Sequence, residues 1–153
     1  MQRVVAVGCL LVLLVPATGL AAAPEFGLGV YQGSKIGLPS AYPSFMLWAT
    51  PEILLGFGLS FSTIATNNFG FYSKFGYSPF KKGNLRLLFG AGFEVLEFQA
   101  VTHVNFGALG GADARLTDNF SVFADIYPFA ISTNGDTEAI FFEGRVGAAW
   151  WFK

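Results

Sequence analysis

The chain has 153 residues, of which 53% are hydrophobic, 17% aromatic and only 12% charged, with a net charge of −1. Soluble domains carry roughly 25% charged residues, so there is too little charge here to clothe a soluble surface. No basic excess points to nucleic acid, and the length suits one domain.

Residues 1–23 read as a secretory signal. Arg3 supplies the positive start, Val4 to Val15 the apolar stretch, and Pro16 ends it. Thr18-Gly19-Leu20-Ala21-Ala22-Ala23 offers small residues for cleavage, which is expected after Ala21. The apolar stretch falls short of the roughly 20 residues a helix needs to span a bilayer, and no other segment is long enough. Cys9, the one cysteine, lies inside it and reads as a passive residue of the signal. Its removal leaves neither disulfides nor thiol chemistry to the remaining domain, residues 24–153.

From Glu25 to Phe152 large apolar residues alternate with small or polar ones. The alternation defines eight candidate strands at about 25–33, 42–49, 52–63, 67–77, 84–96, 100–115, 119–131 and 138–152. Turn signals such as Thr50-Pro51, Lys81-Lys82-Gly83-Asn84, Thr117-Asp118-Asn119 and Asn134-Gly135-Asp136 separate them. A transmembrane strand needs about 9–11 residues, and single-chain bacterial barrels have an even number of strands. The pattern therefore predicts an all-β fold, an eight-stranded antiparallel transmembrane up-and-down β-barrel. Its greasy face turns to lipid and its small, polar face turns inward. A soluble lipocalin-like barrel would instead have to crowd the bulky side chains into a narrow lumen.

The faces follow strand by strand. The second strand declares none, because Phe45 and Leu47 oppose Met46 and Trp48. In the third, Ile53, Leu55, Phe57, Leu59 and Phe61 face out against Gly56, Gly58, Ser60 and Ser62. In the fourth, Phe69, Phe71 and Phe75 face out; Tyr72 and Lys74 face in. In the fifth, Leu85, Leu87, Phe89, Ala91, Phe93 and Val95 face out, with Arg86 and Glu94 inward. Val104, Phe106, Ala108, Ala112 and Ala114 of the sixth face out, with His103, Asn105, Asp113 and Arg115 inward. The seventh turns Ser121, Asp125 and Tyr127 inward, and the eighth turns Glu143 and Arg145 inward.

These inward charges balance, Lys74, Arg86, Arg115 and Arg145 against Glu94, Asp113, Asp125 and Glu143. Buried charge is costly unless paired and hydrogen-bonded, so a self-neutralising polar interior is expected, with His103 and Tyr127 as further members. A turn at Asn134-Gly135 sets Asp125 opposite Arg145 and Tyr127 opposite Glu143. A tight turn near Phe98 sets Glu94 opposite His103. Pro128 cannot donate to a ladder and should mark a bulge or the strand's upper end.

Gly110-Gly111-Ala112-Asp113-Ala114-Arg115-Leu116-Thr117-Asp118-Asn119-Phe120-Ser121-Val122 resembles the strand–turn–strand near the end of small outer-membrane barrels of the OmpA/opacity-porin type. Those have a basic residue, a short Leu-Thr/Ser-Asp-Asn turn and then an alternating strand. Arg145-Val146-Gly147-Ala148-Ala149-Trp150-Trp151-Phe152 looks like their closing strand, followed here by Lys153. The resemblance implies a Gram-negative outer membrane, termini in the periplasm and loops 33–41, 63–67, 97–100 and 131–138 outside. It implies outer-membrane lipid, lipopolysaccharide, periplasmic chaperones and the barrel-assembly machinery as partners, and a monomer.

No residue set announces chemistry. Some small outer-membrane barrels modify lipid A with a His and a Ser near the outer rim. His103 is the only histidine, but Asn105 stands two residues on, where the deacylases have Ser. A Ser–His–acid site needs nucleophile and base within hydrogen-bond reach, and nothing in the sequence brings Ser132 to His103. His103 therefore reads as a structural partner of Glu94. The inward acids read as salt-bridge partners rather than a hydrolytic pair, and one histidine among scattered carboxylates makes a poor metal site. Trp48, Trp150, Trp151, Tyr42, Tyr77 and Tyr127 are expected in the aromatic girdles at the two membrane interfaces. The expectation is a barrel without catalytic residues, metal or cofactor, structural or surface-binding. A lipid A-modifying enzyme using His103 is the alternative, and a narrow conductance the third.

Overall fold

The computed structural model describes residues 24–35, 38–62, 68–98, 101–133, 137–140 and 143–152. The signal segment and its expected cleavage site lie outside the described residues.

The described chain is all strand and turn: β1 (Glu25–Lys35), β2 (Leu38–Trp48), β3 (Ile53–Ser62), β4 (Asn68–Lys82), β5 (Leu85–Phe98), β6 (Val101–Thr117), β7 (Phe120–Thr133), β8 (Thr137–Ile140) and β9 (Glu143–Phe152). Each pairs antiparallel with its neighbour, and β1 closes the sheet onto β9. β8 and β9 continue one register along β7: Ala130 pairs with Ile140 and Tyr127 with Glu143, three steps apart on both sides. They are two halves of one strand, so the barrel has eight staves. Both described termini lie at one end, called here the terminal end; the opposite end is the far end.

Several strands outrun the alternation. β1 and β2 pair without a break from Glu25↔Trp48 to Lys35↔Leu38. Only residues 36–37 separate them, where a loop over 33–41 was expected. β4 runs on to Lys82 because Pro79 is absorbed in a bulge: Tyr77 pairs with Phe89 but Phe80 with Leu87. The same device accommodates Pro128, where Ala108 pairs with Phe129 but Gly110 with Ile126, leaving one extra residue on β7. Pro43 acts differently. The β2–β3 ladder runs from Trp48↔Leu54 to Ser44↔Gly58, and Pro43 is the next residue up. Among the described residues no pairing joins β2 to β3 beyond it, although β2 still pairs with β1 and β3 with β4. This leaves a seam in the far half of the wall.

Turn chemistry holds the terminal end. Thr50 Oγ1 accepts from the backbone N–H of Glu52 (3.2 Å) and Ile53 (3.1 Å). Gly83 takes φ 59°, a conformation that favours glycine, and turns β4 into β5.

Where the side chains are described, the faces of β3 to β7 and β9 fall as the alternation predicts, and β2 now declares itself. Tyr42, Ser44, Met46 and Trp48 are buried inside while Phe45 faces out. The girdle expectation needs correction. Trp150 and Tyr77 are exposed on the outer wall, but Trp48, Trp151, Tyr42 and Tyr127 are buried in the interior. The reason is parity: all four share the strand face of the inward polar residues. An eight-stranded barrel is just wide enough to be filled by side chains, and these rings fill it. Inward glycines give them room. A Cβ on Gly58 would strike the Tyr72 ring, and one on Gly92 would strike the Tyr127 hydroxyl.

Candidate functional site

The charged groups singled out from the alternation lie inside the barrel; Lys74, Asp125, Glu94, Glu143 and Arg145 form two clusters linked through tyrosine hydroxyls, and Arg86, Asp113 and Arg115 lie nearer the terminal end. The central cluster is built on Asp125 of β7. Its Oδ2 accepts from Lys74 Nζ at 2.7 Å and from the Tyr31 hydroxyl at 3.0 Å. The Lys74 ammonium also sits 4.2 Å from the Phe123 ring centre and 4.9 Å from that of Tyr31, so its remaining surface meets ring faces rather than water. Tyr31 stacks on Tyr72 with centroids 4.5 Å apart.

Glu94 of β5 and Arg145 of β9 form the second cluster, toward the far end. Glu94 accepts three bonds: from the Tyr42 hydroxyl (2.7 Å), Asn105 Nδ2 (2.8 Å) and Arg145 Nη2 (3.0 Å). Arg145 donates through Nε to Glu143 at 2.8 Å and lies 4.7 Å from the Tyr127 ring centre. The Tyr127 hydroxyl meets that of Tyr31 at 3.2 Å, linking the clusters. Beside Glu94, Asn105, Tyr127, Glu143 and Arg145 lies a cavity of about 10 Å³, room for about one water.

Of the three expected pairings, two hold in register and one changes. Asp125 does stand opposite Arg145 in the ladder, and Tyr127 opposite Glu143. The ion pairs nonetheless run elsewhere, Asp125 to Lys74 and Arg145 to Glu94 and Glu143. A long guanidinium reaches across the lumen to the acid that faces it. The pairing that changes is that of Glu94, which stands opposite Asn105, not His103. The β5–β6 ladder sets His103 against Leu96, because the strands pair as far as Phe98↔Val101 and the hairpin is centred one residue later than a turn that would join Glu94 to His103. His103 is buried near the far end. Arg86 and Asp113, also inward, are register partners but form no salt bridge among the described residues. The Arg86 guanidinium stacks 4.1 Å over the Trp48 ring instead. Arg115 takes Glu25 as its acid, at 2.6 Å.

The sequence reading missed Glu25, Tyr31 and Tyr42. Glu25 sits next to the expected signal segment. Tyr42 lies on the strand whose face was undeclared, and Tyr31 on β1, to which no faces were assigned. A rule that inward rows hold the tyrosines would have found both, since Tyr72 and Tyr127 already pointed there. The ladder also pairs Ser132 with Asn105, two residues along β6 from His103. The Ser132 side chain lies outside the described residues.

The arrangement plugs the barrel. Bulky rings stack across the axis, and opposite charges are joined over the lumen.

No protein-family model matches the sequence, and no curated protein matches it significantly. Solved structures do. The N-terminal β-barrel domain of Pseudomonas aeruginosa OprF superposes with a TM-score of 0.61 at 15% identity, over 84% of this chain and 97% of that one. This chain has the fold of a small outer-membrane β-barrel. A de novo designed transmembrane β-barrel gives 0.57 at 16% identity, over 84% of this chain and 95% of the other. A major outer membrane protein of Thermus thermophilus gives 0.50 at 13%, over 86% of this chain and the whole of that one. At these identities the likeness concerns the fold.

Proposed function

We propose that the protein is a non-enzymatic outer-membrane barrel of a Gram-negative bacterium, structural or surface-binding, with a plugged and ion-paired interior. The observation that carries this reading is the outer wall. Leu28, Phe75, Phe89, Phe106, Ile126 and Trp150 are each about half exposed around its circumference, with relative exposures between 47% and 57%. Soluble proteins rarely expose a contiguous apolar patch beyond a few hundred Å², whereas a membrane barrel carries such a band on every stave.

On this reading residues 1–23 are removed and residues 24–153 form the barrel domain. The terminal end faces the periplasm and the far end faces outside. Chaperones and the barrel-assembly machinery deliver the chain, lipid and lipopolysaccharide surround it, and it works as a monomer. Membrane fractionation tests the reading. The protein should remain in the outer-membrane fraction after alkaline carbonate extraction and show a heat-sensitive shift on gels. Release into the soluble fraction would sink it.

A second reading, lipid A modification through His103, draws on the register that sets Ser132 opposite Asn105, beside His103. Mass spectra of lipid A from expressing cells decide it. A shift by one acyl chain that His103→Ala abolishes favours the enzyme; an unchanged spectrum with folded protein leaves the non-enzymatic barrel.

A further inference from the structure

The seam beside Pro43 has two unlike edges. At the terminal end of the β2–β3 ladder, the Ala49 N–H donates to the Ile53 carbonyl at 2.9 Å, and the Ser78 N–H donates to the Glu52 carbonyl at 2.7 Å. These bonds fix which way each backbone points. Odd-numbered residues of β2 and β3 turn their N–H and C=O groups toward each other, and even-numbered residues of β3 turn theirs toward β4. The register runs without a bulge from Trp48↔Leu54 to Ser44↔Gly58, so this alternation carries up to the seam. There β2 presents Pro43, Ala41 and Pro39, one N–H among three residues. Proline is one of the ways a sheet blunts an edge. The facing edge of β3 is not blunted. It presents the Leu59 carbonyl, opposite the missing Pro43 N–H, and both backbone groups of Phe61. No pairing to β2 among the described residues answers them.

The wall is still apolar at this height. Leu59 is 46% exposed, and Phe69, the register partner of Phe61, is 36% exposed. Open sheet edges do not persist in hydrocarbon, because lipid tails cannot hydrogen-bond them. The chain has no strand of its own to spare for the seam. Five residues, 63–67, join β3 to β4, and two, 36–37, join β1 to β2, too few to double back. Behind the seam stands Tyr42. A Cβ on Gly58 of β3 would lie 3.0 Å from its Cβ, and one on Gly70 of β4 would lie 2.8 Å from its ring. The ring therefore passes behind β3 as far as β4 and backs the seam on the lumen side.

We propose that the β3 edge at Leu59 and Phe61 binds an extended segment of a second, extracellular polypeptide, which adds to the wall as a strand beside β3. Main-chain hydrogen bonds supply the affinity in such strand addition, and alternate side chains supply the specificity. The pattern that fits is apolar–small–apolar. Large residues lie beside Leu59 on the lipid face, and a small one lies over the Tyr42 ring. The segment enters from the far end and stops at Pro43, below which β2 and β3 are paired. A lipid chain has neither donor nor acceptor along its length and leaves these groups unanswered. The inference rests on the outer-membrane reading above, which puts the far end outside.

The probe is a blocked peptide, Lys-Lys-Val-Ala-Val-Ala-Val-Lys-Lys, added to the folded protein in detergent micelles. At saturating probe the Phe61 amide should exchange at least tenfold more slowly, with exchange in β6 and β7 unchanged. Phe61→Pro removes the one donor on this edge and leaves the β4 ladder intact. It should weaken binding of the fluorescent probe at least tenfold. Pro39→Val with Pro43→Val returns both missing donors to β2, closes the seam and should abolish binding. The same peptide N-methylated at its valines should not bind. An unchanged Phe61 amide overturns the proposal. So does equal binding of the methylated peptide, or equal binding by the Pro→Val double variant. Slowing of the Phe61 amide with protein concentration, without probe, gives the edge to a second copy and overturns it too. The heat-sensitive gel shift is read on every sample. If wild type itself lacks it, the outer-membrane reading fails with the seam; if wild type shows it and the Phe61 amide does not respond, the seam alone fails.

Discussion

Each charge in the barrel interior depends on a particular neighbour. Lys74 and Asp125 are both essentially inaccessible, their side chains 1% and 0% exposed. Truncating one partner of such a pair leaves the other uncompensated, which costs about 3–5 kcal/mol, whereas replacing both with apolar groups is often near neutral. Lys74→Met and Asp125→Leu should therefore each lower the urea midpoint of folding into lipid vesicles sharply, and the double variant should recover most of the loss. Tyr31 keeps a partner in the double variant, since its hydroxyl also meets Tyr127. A double variant as unstable as the two singles combined would show that the pair does not act as a unit. Arg145→Leu should be the harsher single change, because it strips a cation from Glu94 and Glu143 together. From the third strand onward, which residues face inward was legible from parity alone. Which acid meets which base was not. Long side chains reach across the lumen to strands far apart in sequence, and ladder register says nothing about that distance.

Among the elements, the prolines explain where alternation misjudged strand limits. Pro79 and Pro128 each take up one extra residue in a bulge, so the strand continues beyond them with its parity reset. A reader of the sequence sees the parity break at Pro79 and ends the strand at Tyr77. Pro43 breaks one ladder and spares the other. Pairing with β1 continues past it and pairing with β3 ends there, which puts the missing N–H on the β3 side. Restoring that donor with Pro43→Val should extend the β2–β3 ladder. Amide exchange across residues 59–62 should slow, with exchange in β6 and β7 unchanged. Exchange in 59–62 that stays as fast as in the parent would mean that something other than proline holds the seam open. The seam itself was not readable in advance, because the second strand offered no face and hence no register to test against its neighbours.

For the whole molecule, fold class followed from composition and periodicity together: bulky residues on one face, and too few charges for both faces to be wet. The plug followed less directly. Balanced inward charges suggested a filled lumen, yet much of the filling is aromatic: Tyr31, Tyr42, Tyr72, Trp48 and Trp151 are each buried to within 1% of full inaccessibility. An aqueous channel belongs to barrels of about 16 strands, and here every level of the described interior is crossed by a ring or an ion pair. Purified protein in planar bilayers should accordingly give no current steps above background. Removing the rings that lie across the axis, with Tyr31→Ala and Tyr72→Ala together, should introduce steps if the double variant keeps its heat-sensitive gel shift. Steps of equal size in parent and variant would mean that ions take a path these rings do not block, and the seam beside Pro43, which opens the far half of the wall, would be the place to look for it.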